Sequence, residues 1–341
     1  MLTHRINRTR SGRQSKALTE TYYRYRGLAI RSLREDIDRA CRRTSDVVLA
    51  GIMTLMLSDV QHGFTSDWQH HLGGVQRMIE LRGGLHVVAQ SRNLEAILLC
   101  FVSLAIIANT TCPASDLTMA QWHLDQLDFI LEQYDGGIFQ FCMCPAPLFA
   151  DIIRINYLRI QAAQPGPSDR VCLSHEAFEI MNRVDNFSAE QWADCKPCAG
   201  EAWLIVGRAY KAAVTIYCIS SLQSSAVLPM AAALRARCAA EGKILHQLLD
   251  SLSTAGIGLF MLWPLVTLGI EAANGASDLR RFVEQRLRGM SRQMGSYAPL
   301  MAQQVLERYW TSGERNWDSC FDRPYAFATQ IAVDLTGLSP P

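Results

Sequence analysis

An all-α fold is the expectation for this chain, and three observations carry it. First, the 341 residues are 49% apolar and only 19% charged, enough for a full core and too apolar for disorder over most of their length. Second, clusters of Gly, Pro, Ser and Asp separate stretches of roughly 12–25 residues whose apolar positions repeat near every 3.6 residues. Third, no alternating run longer than about five residues is bounded by turns, so strand signals are almost absent.

The elements follow in chain order. Residues 1–16, MLTHRINRTRSGRQSK, are polar and basic and read as a flexible tail with no apolar leader segment. Residues 17–43 form an amphipathic helix. Residues 46–61 are nearly all apolar, so their helix is central. Residues 68–82 give the clearest pattern: Trp68, His71, Leu72, Val75, Met78, Ile79 and Arg82 fall on one stripe. Ser66-Asp67 supplies a start signal, and Gly83-Gly84 a left-handed stop. Gly73 and Gly74, each costly inside a helix, predict a close helix–helix approach or a bend. The longest apolar runs, 96–108 and 256–270, are short of the roughly 20 residues that span a bilayer and read as buried helices. Pro264, inside the second, predicts a kink beside Trp263 that opens internal space. Glu271 follows that run and, if buried, needs a partner such as an arginine. No Pro/Gly-rich linker divides the chain, so residues 17–341 read as one domain.

Composition also narrows function. Lys+Arg is 33 against 32 Asp+Glu, which argues against a wholesale polyanion binder. The charge is uneven: residues 1–43 carry net +8 and the remainder net −7. The basic start could be a nuclear address or a nucleic-acid contact, but a solvated tail and helix face is the favoured reading, because Tyr22, Tyr23, Leu28 and Leu33 interrupt it. Eleven cysteines, an odd number, read as reduced thiols of a cytoplasmic or nuclear protein. Cys195 and Cys198 make the one CxxC, without the βαβ context or second ligand pair that redox or zinc chemistry requires. No phosphate-binding glycine loop, HExxH or GxSxG is present. No cofactor and no metal are therefore expected. His70 and His71 are adjacent, so only one can face inward on a helix. His71 shares the apolar stripe.

At this point a family resemblance emerges. WQHHLGGVQRMIELRGG, residues 68–84, resembles the signature helix of the fungal-specific transcription factor regulatory domain, through Trp68, His71-Leu72, Gly74, Met78-Ile79 and Arg82-Gly83-Gly84. YYRYRGLAIRSLRE and VVLAGIMTLML look like the helices just upstream. Trp263-Pro264-Leu265 with Gly269-Ile270-Glu271-Ala272 resembles a second signature, and Val305-Leu306-Glu307 with Trp310 and Trp317 the closing helix. The resemblance is ordered over about residues 20–320. It implies an all-α regulatory domain of fungal origin.

The sequence departs from the family in lacking the six-cysteine binuclear zinc cluster: its first cysteine, Cys41, already lies in the predicted first helix. No other DNA-reading motif replaces it, so direct duplex binding is not expected. The first reading is then a stand-alone chain of secondary metabolism that binds an apolar, unsaturated small molecule. It would catalyse a cofactor-free cyclisation or cycloaddition of hetero-Diels–Alder type, which needs only an orienting pocket and a donor on a carbonyl. The alternative is a transcriptional regulator or co-regulator acting through a DNA-binding partner, and a third is a gene product without independent activity. No membrane partner is expected, and a homodimer is compatible with the sequence.

Candidate site residues follow from the aromatic faces. Trp203, Tyr210 and Tyr217 recur at spacing seven along the 199–219 helix, on one side. With Trp263, and with Trp68 and His71 of the signature helix, they would stack on a planar ligand and polarise its carbonyl. His71 and Tyr210 are the candidate catalytic groups. Trp203, Tyr217, Trp263 and Trp68 are the candidate ligand-binding groups. Plain core packing is the competing reading of the same stripe.

Overall fold

A computed structural model describes residues 13–62, 68–136, 144–164, 170–196, 200–252, 256–275 and 277–328. Among them every regular element is helical, with fifteen α-helices, short 3-10 turns and no strand. They divide into two compact units, one holding residues up to 104 and 289–301, the other 105–288 and 302–328.

The first unit contains α1 (Arg13–Asp38), α2 (Asp46–His62), α3 (Trp68–Leu81), α4 (Leu85–Ala89) and the start of α5 (Glu95–Thr110). α2 packs against both α1 and α3. Its Val48, Leu49, Met53, Met56 and Val60 are buried, and Trp68, Leu72, Val75, Met78 and Ile79 of α3 are buried as the 3.6 period requires. A side chain of this size contributes about 1.5–3 kcal/mol when fully buried. α3 ends at the two glycines, Gly83 at φ 98° and Gly84 at φ 100°, where Gly84 N–H donates to the Ile79 carbonyl at 2.9 Å. Only glycine reaches these angles without strain. The start signal Ser66-Asp67 lies outside the described residues. The glycines inside α3 need correction. A Cβ at Gly73 or Gly74 would meet nothing within 4 Å, so neither marks a close approach.

The second unit contains α6 (Ala120–Asp125), α7 (Leu127–Gly136), α8 (Ala146–Ala163), α9 (Arg170–Asn186), α10 (Ala189–Asp194), α11 (Gly200–Ser224), α12 (Ala232–Ser251) and α13 (Leu262–Glu271). α14 (Ser277–Met294) and α15 (Ala298–Ser312) each belong to it for most of their length. α11 is its axis, touching α8, α9, α10, α12 and α13. It is long and apolar enough to cross a bilayer, yet most of it is covered by these neighbours.

Pro264 does not kink a helix. The 256–270 run breaks at Met261 into a 3-10 turn (Gly256–Phe260) and α13, which places Pro264 in the first helical turn. An N–H there would have no partner within the helix, so proline is tolerated without distortion. Glu271 is buried and pairs with Arg235 of α12, the arginine partner its position demands. Gly242 makes room for it: a Cβ there would lie 2.9 Å from Glu271 Cγ.

Candidate functional site

The polar centre of the second unit is Arg159, a fully buried guanidinium on α8. α8 places it there because Leu148, Ile152, Ile155, Asn156 and Arg159 recur at helical spacing on a buried face. Nη1 donates to the Asn109 carbonyl at 2.8 Å and to the Tyr217 hydroxyl at 3.2 Å. Nη2 donates to the Cys112 carbonyl at 2.7 Å and pairs with Asp318 at 2.7 Å. Nε has no partner among the described residues. Burial opposes the charge, but Tyr217 and Asp318 outweigh it and hold the pKa above the ordinary arginine value. The cation joins the end of α5, the middle of α11 and the segment after α15.

That segment is stitched back at several points. Trp317 Nε1 donates to the Thr110 carbonyl at 2.8 Å, and Thr111 and Tyr325 exchange hydrogen bonds of 2.6 and 3.0 Å.

The candidate residues from the sequence fall into three groups. Tyr210, Tyr217 and Trp263 form one buried ring cluster, with Tyr210 stacked on Trp263 at 6.0 Å and Tyr217 edge-on to it at 6.0 Å. Two donors of this cluster bond within the protein. Tyr217 Oη donates to Asn156 Oδ1 at 2.5 Å, and Trp263 Nε1 donates to Thr110 Oγ1 at 2.7 Å. Burial raises the Tyr217 pKa in spite of Arg159, so the hydroxyl stays protonated. Trp203 makes a separate contact, edge-on to Trp192 at 5.6 Å. Trp68 and His71 belong to the first unit. Trp68 is buried there, while His71 is 32% exposed with Nε2 3.7 Å from Asp59. Asp59 is held by both ends of the Arg26 guanidinium at 3.2 and 3.0 Å. His70 is exposed, so the pair divides as adjacency requires.

Sequence reasoning missed Arg159 and Asn156. Both lie on the apolar stripe of α8, but spacing alone does not tell a buried polar residue from one at the edge of the stripe. Cys195 is exposed, and Cys198 lies outside the described residues.

The comparisons with known proteins follow this geometry. The profile of the fungal specific transcription factor domain matches residues 3–325. A curated relative from Leptosphaeria maculans, described as a phomenoic acid biosynthesis cluster-specific transcriptional regulator, is 44% identical over 344 residues. The match covers all of this chain and 66% of the relative, so the chain spans just under two thirds of that protein's length. No solved structure matches. These findings overturn the expectation of a cofactor-free cyclase. That expectation leaned on the zinc cluster missing from the sequence, whereas a regulator aligns with the whole chain over 66% of its own length. The chain belongs to the fungal-specific transcription factor domain family.

Proposed function

We propose that this chain is the regulatory portion of a transcriptional regulator that controls a cluster of secondary-metabolite genes in the nucleus. The observation that carries the reading is the 44% identity, over every residue of the chain, to a cluster-specific regulator. The chain itself contributes a folded helical body rather than a DNA-reading surface. Its polar interior is committed to tying helices together around Arg159. DNA recognition falls to a module outside these residues, on the same polypeptide or on a partner.

Two measurements test this. The purified chain should give no sequence-specific retardation of promoter DNA at physiological salt. The tagged natural protein should be enriched at the promoters of its cluster in chromatin immunoprecipitation. Specific retardation by the chain alone overturns the division of labour, and absence from those promoters overturns the regulatory reading.

A further inference from the structure

A cleft of about 660 Å³ opens in the second unit where α8, α9 and α10 meet. It is open to solvent, and its volume is in the range of small-ligand sites. At its floor lies Asp151, buried on α8. Arg154 Nη1 and Arg183 Nε both donate to a single oxygen, Asp151 Oδ1, at 3.0 and 2.9 Å. This differs from the other arginine–aspartate contacts that use the whole fork: Arg26 grips both oxygens of Asp59, and Arg308 both oxygens of Asp322. At Asp151 two guanidiniums share one acceptor. Each has further N–H donors with no partner among the described residues, and two cations face one carboxylate.

The rest of the lining complements these donors. Asn186 and Gln191 also line the cleft. Trp192 forms an indole wall, which Gly207 of α11 keeps in place: a Cβ there would lie 3.0 Å from the ring. Lys196 Nζ sits 4.7 Å from the same indole. Trp192 also touches Trp203, so the cleft adjoins one of the aromatic residues that the sequence singled out.

We propose that this cleft binds a small planar carboxylic acid, its carboxylate taken by the unspent donors of Arg183 and Arg154 and its apolar body lying against Trp192. A guanidinium fork matches a carboxylate in two parallel hydrogen bonds, which a neutral amide or an alcohol cannot reproduce. The proposal does not depend on whether the chain regulates transcription.

The test uses 2-naphthoate as the probe and 2-naphthamide as its neutral twin, titrated calorimetrically into the whole chain. The carboxylate should bind at least tenfold tighter than the amide. Inorganic phosphate, which lacks the planar body, should bind at least tenfold more weakly than the carboxylate. Arg183→Lys keeps the charge beside Asp151 and removes the fork. It should weaken 2-naphthoate at least fivefold with the melting temperature within about two degrees of the parent. Gln191→Ala, a change in the lining that spares the ion pairs, should weaken it two- to threefold. Equal binding of acid and amide, phosphate binding as well as the acid, no binding of 2-naphthoate at millimolar concentration, or full affinity in both variants would each overturn the proposal.

Discussion

α3 in the first unit and α8 in the second place charged residues beside an apolar stripe, with opposite results. His71 on α3 and Arg82 just past its end flank the stripe. They remain partly exposed and meet Asp59 and Asp46 at its edge. On α8, Asn156 and Arg159 lie within the stripe and are wholly buried. An ion pair with one partner still reaching solvent keeps part of its hydration and contributes little, about 0–1 kcal/mol. A buried guanidinium has lost its hydration and depends on every partner it has. The family signature that is easiest to read in the sequence therefore marks the energetically milder site.

The comparison predicts a large asymmetry. Arg159→Met removes the cation and leaves two buried carbonyls and the Tyr217 hydroxyl without it, so it should cost about 3–5 kcal/mol in urea unfolding. Conservative His71→Asn should cost less than about 1 kcal/mol. Equal losses would remove the distinction between the two helices. Tyr217→Phe sharpens it. The variant deletes one hydroxyl but strands Asn156 Oδ1, and should cost about 1–3 kcal/mol.

His123 of α6 tests the same physics from the other side. It is fully buried, and neither ring nitrogen has a hydrogen-bond partner among the described residues. Burial pushes its pKa down to about 3. A histidine neutral in the fold and protonated when unfolded adds no protonation penalty above its unfolded value of about 6.5, and destabilises the fold progressively as pH falls from there towards 3. His123→Leu should therefore stabilise the chain by about 1 kcal/mol at neutral pH by removing an unpaired polar ring. It should also flatten the acid limb by up to one proton, about 1.4 kcal/mol per pH unit. An unchanged slope between pH 6.5 and 4 would show that the ring is hydrated or paired. The smallest effect lies on α3, where Gly74→Ala should stabilise by up to about 1 kcal/mol because no neighbour opposes a methyl group.

These same positions show how far the sequence could be read. The helix over 68–81 and its double-glycine stop were legible because period and left-handed geometry are local properties. The pairing of Glu271 was legible because a carboxylate after an apolar run has few other fates. Arg159 was not, since α8 carries two arginines five residues apart and local spacing does not count the partners each will find. Pro264 misled because its effect depends on where the helix starts, and a continuous apolar run hides the break at Met261. The absence of a linker gave no hint of two compact units, because the division runs through α5, α14 and α15 rather than through a loop. The regulatory reading was legible as a resemblance. The step from a missing zinc cluster to catalysis was not a structural inference at all.

The most direct test of the regulatory account is to delete the gene in its own fungus and measure two quantities together: transcripts of the neighbouring biosynthetic genes, and the intermediates of the product. The account predicts that the transcripts fall at least tenfold and that no late intermediate accumulates. Unchanged transcripts would contradict it.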